Sequence, residues 1–507
     1  MMNLYLGKGE NDFNIRSEKL NQHGVISGAT GSGKTVTVKV LCEELSALGV
    51  PTFISDVKGD IINLSKVGSE NENIKERLLS LGISDFEFRN YPINVWDIYK
   101  EEGIPLRVTV SQFGPVLLSE VLELNETQEG VLNVLFRVAD EEGLLLLDFK
   151  DLTQMLDYLR RNSKEISEKY GNISSSSIAA IQRKLLVLEE EGANEFFGET
   201  SVDIKDFLKK DELGNGFVNI LNSKKLMKKP RLYCAFLIYL FSELFEILPE
   251  VGNPEKPIMV FFFDEAHLIF NNISKNLLEK IVTVVRLIRS KGVGVFFITQ
   301  NPLDIPNEIS AQLGTKIIHQ LRAFSPKEAK AVKVISESLR QRPGVDTMDE
   351  ILNLGVGEAV IQTLDEKNIP TEVEKVIIRP PHSSFDVLSS SDLNYIISNS
   401  EIYGKYEETI DRVSAYEILS EKLEKEEEEQ KRAEFEEERI KQEELDRKEL
   451  EKMEREAEKI RKKEERERKE KYKYVDKTVN SILGAFTRQI GREMARGILG
   501  SFKRKNR

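Results

Sequence analysis

The sequence predicts an α/β protein built on a parallel β-sheet wrapped by helices. Three observations predict it. Residues 257–263 are an unbroken apolar run of strand length, the pattern of a strand buried on both faces, and 293–299 read as another buried strand. Amphipathic helical stretches, such as residues 277–291, alternate with them. Gly28-Ala29-Thr30-Gly31-Ser32-Gly33-Lys34-Thr35 fits the template G-x-x-x-x-G-K-[ST], with an apolar start at Val25 and Ile26 and a helical pattern over 36–48.

That octapeptide is a strand–loop–helix phosphate cradle. Its glycines admit close backbone approach, and successive N–H groups point inward at a helix N-terminus. Gly28, Ala29, Thr30, Gly31, Ser32, Gly33, Lys34 and Thr35 are therefore the candidate nucleotide-binding residues. Lys34 is expected to reach the β- and γ-phosphates and Thr35 to hold Mg²⁺. The expected cofactors are ATP and Mg²⁺.

The remaining elements follow in chain order. Residues 51–56 read as a second buried strand, ending in the polar turn Val57-Lys58-Gly59-Asp60. Residues 61–90 read as a helix plus a connection, and 107–110 as a further strand. Residues 112–210 are mostly helical in period and read as an insertion between strands or a lid beside them. Strand character resumes at 217–221, and 231–248 is a long apolar helix. The strand 257–263 runs into Asp264 and Glu265. A carboxylate there can hold the water shell of Mg²⁺ opposite Thr35, and the next acid can deprotonate the attacking water. Asp264 is the candidate metal residue with Thr35, and Glu265 the candidate base. His267 reads as a packing residue. The strand 293–299 ends in Gln300, placed to bond a γ-phosphate or its water, although a plain polar strand end has the same pattern.

The expected segments are 1–20 (N-terminal), 21–111 and 211–380 (the two parts of the core), 112–210 (helical insertion), 381–414 (linker), 415–472 (charged helix) and 473–507 (basic tail). The charged segment lacks Gly and Pro, and Leu450, Met453, Ala457 and Ile460 keep heptad-like spacing only briefly. A lone helix and a short coiled coil both remain open, at roughly 85 Å in length.

Charge is uneven. Residues 1–420 carry a net −16, 421–472 a net −4 and 473–507 a net +7. An acidic core is not the footprint of a protein that coats DNA alone, although a ring of subunits can enclose a basic pore. Cys42 and Cys234 lie far apart in apolar helical patterns and read as core thiols of a reducing compartment. The start lacks a basic n-region and an apolar h-region, and 232–248 is too short and too interrupted to span a bilayer. A cytoplasmic location is expected.

Four ordered blocks resemble the HerA–FtsK superfamily of ring-forming motor ATPases: Asp264-Glu265-Ala266-His267, Arg286-Leu287-Ile288-Arg289-Ser290-Lys291-Gly292, Thr299-Gln300-Asn301-Pro302 and Leu321-Arg322-Ala323-Phe324-Ser325-Pro326. The turn Asp56-Val57-Lys58-Gly59-Asp60 is similar to that family's Asp-x-x-Gly-acid turn. Residues 129–133 through 147–152 are similar to a bacterial HerA-like branch. The resemblance covers roughly residues 20–380. It implies a RecA-like P-loop core, Lys34 and Thr35 on phosphate and Mg²⁺, Asp264 supporting the metal, Glu265 as base and Gln300 as γ-phosphate sensor. It also implies a hexamer-type homo-oligomer with a finger arginine from a neighbouring subunit. Arg322 is the candidate for that finger, ahead of Arg286 and Arg289. One departure is that 27 residues before Gly28 are too few for the N-terminal β-barrel of HerA proper.

Two functions follow as expectations. One is an ATP-driven motor on DNA. The other is an ATP-switched assembly protein that binds a protein partner or an anionic membrane through its C-terminal helix and tail. The tail carries an apolar stripe (Ile482, Phe486, Ile490, Met494) with Arg488, Arg492 and Arg496, the composition of a basic amphipathic helix.

Overall fold

The computed structural model describes residues 2–270 and 273–471. The basic tail expected over 473–507 lies outside the described residues. Among the described residues, those up to 420 form one compact unit and those from 421 belong to a second.

Among the described residues, twelve strands form a single sheet: β1 (Asn3–Lys8), β2 (Asp12–Arg16), β3 (Gly24–Ser27), β4 (Thr52–Asp56), β5 (Ile93–Asp97), β6 (Ile104–Pro105), β7 (Val218–Asn222), β8 (Met259–Phe263), β9 (Val293–Thr299), β10 (Thr315–His319), β11 (Glu358–Gln362) and β12 (Glu374–Ile378). Their order is β2-β1-β12-β11-β10-β3-β9-β8-β4-β7-β5-β6. From β10 to β6 every pairing is parallel. From β2 to β10 every pairing is antiparallel. The expected parallel sheet is present and carries a four-strand antiparallel extension that sequence reading did not foresee.

The apolar runs alternate between the two faces. Met259, Phe261 and Phe263 of β8 enter the core shared with the helical insertion. Val260 and Phe262 enter the opposite core, beneath the helix α1 (Lys34–Ala47). Both faces are covered, so no polar position interrupts the strand.

The insertion is helical, with Val110–Val121, Glu126–Glu142, Phe149–Arg161 and Ser175–Glu190 as its main elements. Capping boxes at Thr109/Gln112, Asn125/Gln128 and Asp148/Asp151 fix where three of these helices start. The first of these boxes corrects the strand expected over 107–110. Val108 makes only an isolated bridge to Phe197, and Thr109 already caps a helix.

Two further expectations change. The N-terminal segment is part of the sheet through β1 and β2, and its Leu4, Leu6 and Ile15 are buried. The segment expected as a linker is packed. It contains the helix Ser390–Ser398, and Ile402 and Tyr406 lie in the core. Arg107 donates to the Tyr406 carbonyl at 3.0 Å, and the Asp203 N–H donates to the Tyr406 hydroxyl at 3.1 Å, which ties this segment to the core and to the insertion. The charged segment is one continuous helix, Ala415–Lys471, that begins with Ala415 and Leu419 in the core of the first unit. Its Leu450, Met453 and Ile460 are exposed. No helix among the described residues is long and apolar enough to cross a membrane. Cys42 and Cys234 are buried free thiols.

Candidate functional site

Five parallel strands deliver the candidate residues to one edge. β3 leads into the phosphate loop, β4 into Asp56, β8 into Asp264, β9 into Gln300 and β10 into Arg322. In open α/β sheets the ligand crevice lies outside these carboxyl ends.

The loop itself is shaped by what lies behind it. A Cβ on Gly28 would meet His319 Cβ at 2.6 Å, and one on Gly33, at φ 113°, would meet the Gly357 backbone at 3.0 Å. A Cβ on Gly31 would meet nothing within 4 Å, so that part of the loop faces open space. Lys34 Nζ folds onto the loop, donating to the carbonyls of Gly28 and of Ala29, the latter at 3.0 Å. Burial holds the Lys34 ammonium below its ordinary pKa, and Lys58 adds to that effect while Glu265 and Asp264 oppose it.

His319 is the buried floor of the loop. Its Nδ1 faces the Glu358 carbonyl at 2.8 Å and its Nε2 faces Thr37 Oγ1 at 2.9 Å. A carbonyl only accepts, so Nδ1 carries the proton and Nε2 accepts from the threonine. Burial pushes His319 down to about 4.

The acids sit across from the loop. Asp264 lies with Lys34, Thr35, Asp56, Lys58 and Asp60 around one pocket. Burial lifts Asp264 to about 6 although Lys58 pulls it down. Glu265 is 8% exposed and adopts φ 47°, a left-handed conformation that costs a non-glycine residue roughly 1–2 kcal/mol. Gln300 Nε2 donates to both Glu265 oxygens, at 3.2 and 3.4 Å. Thr30 Oγ1 donates to Gln300 Oε1 at 3.5 Å, which connects the phosphate loop to the acid. His267 Nδ1 is 3.4 Å from Glu265 Oε2 and has no hydrogen-bond partner among the described residues, so it faces the acid instead of simply packing.

Arg322 is exposed, with its guanidinium over the ring of Phe324, itself 85% exposed. It lines an open cleft of about 600 Å³ together with Ala29, Thr30, His267 and Gln300 of its own chain. Arg286 and Arg289 are exposed at the end of the helix Lys275–Ile288 and do not line that cleft.

Sequence reading left two contributors without a role. Asp60 accepts from Thr35 Oγ1 at 3.3 Å, and Lys58 reaches Glu265 at 3.3 Å. Their signals were the polar turn after a buried strand and its similarity to the family's Asp-x-x-Gly-acid turn.

The donor set fits a Mg–nucleotide. A hydroxyl and carboxylates are the hard oxygen ligands that Mg²⁺ takes with retained waters. The glycine-shaped loop leaves its open side to phosphate.

The family model "Helicase HerA-like C-terminal" matches residues 3–507. The DNA double-strand break repair helicase HerA of Sulfolobus acidocaldarius is 24% identical over 367 residues, 68% of this chain and 63% of that protein. The same-named protein of Sulfurisphaera tokodaii is 26% identical over 361 residues, with equal coverage. The chain thus spans about 63% of the length of these relatives. Among solved structures, the bacterial conjugative coupling protein TrwBdeltaN70 superposes with a TM-score of 0.51 at 16% identity, over 76% of this chain and 92% of that one. With both phosphate-loop and acid motifs at the carboxyl edge of a RecA-like sheet, the chain belongs to the helicase HerA-like C-terminal family of P-loop ATPases.

Proposed function

We propose that this chain is the Mg²⁺-dependent ATP-hydrolysing core of a ring-type homo-oligomer that acts on DNA. The observation that carries the proposal is the Thr30–Gln300–Glu265 hydrogen-bond relay beside Lys34. It joins the residue expected to deprotonate water to the loop expected to hold the phosphates.

In this reading the loop N–H groups and Lys34 bind the triphosphate, and Thr35 and Asp264 hold Mg²⁺. When bound, the ion neutralises charge on the β- and γ-phosphates. Glu265 accepts the proton of the attacking water, and its left-handed backbone aims the carboxylate toward Gln300. The Gln300 amide fixes that carboxylate and senses the γ-phosphate. Arg322, which has no ion pair among the described residues, is the arginine that reaches phosphate across a subunit boundary. DNA as substrate is suggested by the names of the two HerA relatives. The buried free thiols fit a reducing cytoplasm.

The test is ATP turnover by the full-length chain with and without duplex DNA, alongside Lys34→Ala and Glu265→Gln. Turnover that is lost in both variants and stimulated by DNA supports the proposal. DNA-independent turnover would leave an ATPase without the DNA assignment. Equal turnover by Glu265→Gln and the unaltered protein would remove Glu265 as base.

A further inference from the structure

The turn after β4 carries a cation, Lys58, and an anion, Asp60, into the same pocket. Lys58 Nζ is 3.3 Å from Glu265 Oε1 and 4.0 Å from Asp264 Oδ2. Two residues on, Asp60 accepts from Thr35 Oγ1. Both proposed metal donors, Thr35 and Asp264, are therefore already engaged by one five-residue turn.

That turn is rigid. Buried Asp56 accepts from the backbone N–H groups of Lys58 at 3.0 Å, Gly59 at 2.8 Å and Ile61 at 3.2 Å. Gly59 supplies the left-handed φ of 78° that the turn needs. The backbone at Lys58 is thus fixed, whereas its side chain is 44% exposed and can leave toward water.

Asp264 and Glu265 are adjacent carboxylates with little solvent, and unpaired buried charge is costly. An ammonium beside both relieves that cost. A divalent cation relieves it better, but the two cannot share the same oxygens.

We infer that Lys58 is the built-in counter-cation of the metal site: it neutralises Asp264 and Glu265 when nucleotide is absent and is displaced when a divalent cation arrives with its nucleotide. The inference rests on the proposed reading of Asp264 as the metal carboxylate. It deepens that reading by assigning a selection step. A free divalent ion must expel the ammonium and gains only protein ligands. The same ion on a nucleotide brings phosphate oxygens, and those phosphates offer the expelled ammonium a new partner. The site thereby discriminates against bare metal and in favour of the metal–nucleotide.

The experiment is a Mn²⁺ titration of the nucleotide-free, full-length protein, followed by electron paramagnetic resonance. Lys58→Met should bind Mn²⁺ at least about tenfold more tightly than the unaltered chain, because a charge within bonding distance of the acids has gone. Lys58→Arg, which keeps the charge, should titrate like the unaltered chain. Adding Asp264→Asn to Lys58→Met should abolish the gain. Lys58→Gln serves as a second neutral variant, and thermal melts establish that each is folded. Equal or weaker Mn²⁺ binding by both Lys58→Met and Lys58→Gln overturns the inference. The underlying reading is tested separately: Asp264→Asn in the unaltered background should weaken Mn²⁺–ADP binding. If it does not, the metal assignment of Asp264 falls, and the inference with it.

Discussion

Arg379 Nη1 donates to Glu43 at 3.1 Å, joining the segment after β12 to the middle of α1, with the two side chains 2% and 0% exposed. The backbone N–H groups of His382 and Ser383 donate to the same carboxylate at 3.0 and 2.9 Å, and Arg379 Nη2 reaches Glu44 at 2.8 Å. The helix that starts at Lys34 is thus strapped from behind by a segment more than 300 residues away.

The first prediction concerns that strap. Removing one member of a buried ion pair leaves an uncompensated charge, at about 3–5 kcal/mol. Glu43→Gln and Arg379→Met should each lower stability by that amount in urea denaturation. The double variant should lose less than the sum of the two. Additive losses would show that the two residues do not act as a pair.

A second prediction separates binding from turnover. Lys34→Ala should abolish binding of a fluorescent ATP analogue. Glu265→Gln should retain binding and reduce kcat by about 10²–10⁴, the usual range for losing a general base. Gln300→Ala should fall between Glu265→Gln and the unaltered protein in kcat, since it removes the donor that fixes Glu265 and leaves the carboxylate in place. Single-turnover kinetics with each variant checks the order. A Gln300→Ala protein with unchanged kcat would remove the relay from the mechanism.

The third prediction is an acid limit on stability. Burial pushes His23 and His319 down to about 4 from an ordinary value near 6.5. His23 shows how fully its neutral form is used: Nε2 donates to the Val285 carbonyl at 2.8 Å, and Nδ1 accepts from Val295 N at 3.1 Å. Between pH 6.5 and about 4 the unfolded chain binds protons that the folded chain refuses. The contribution is therefore complete above pH 6.5 and is lost as pH falls toward 4, by up to roughly 3 kcal/mol per histidine. Denaturation from pH 8 to pH 5 should show this decline, and His319→Gln should have a shallower one. An unchanged slope in that variant would refute the His319 contribution.

Arg322 gives the fourth prediction. An inactive Arg322→Ala subunit mixed with an inactive Glu265→Gln subunit should regain activity if the arginine serves a neighbour's site, since such fingers supply ~10³–10⁵ in rate. Because Arg322 also lines the cleft beside its own Thr30 and Gln300, action within one subunit is the competing outcome, and it predicts no recovery on mixing. Turnover per subunit measured over a dilution series distinguishes the same alternatives.

Local sequence carried much of this protein. The phosphate loop is legible because its glycines, lysine and threonine act through backbone geometry that a short contiguous motif specifies. β8 and β9 are legible because strands buried on both faces must be apolar at every position. The helices of the insertion announce themselves through periodicity, whereas the capping boxes that fix their starts, such as Thr109 with Gln112, emerge only in the fold. Tertiary structure decided the rest. β1 and β2 form a local hairpin and β11 and β12 pair nearby in the chain, but what joins them to the sheet is the pairing of β1 with β12 and of β11 with β10, which no local pattern marks. The segment expected as a linker is held by contacts such as Arg107 with the Tyr406 carbonyl, 299 residues apart. Lys58 shows the limit most clearly. As sequence it is one polar residue in a turn, and only the parallel pairing of β4 with β8 carries its ammonium to Asp264 and Glu265. Motifs are written along the chain, but a charge acquires its role from the charges that the fold sets beside it.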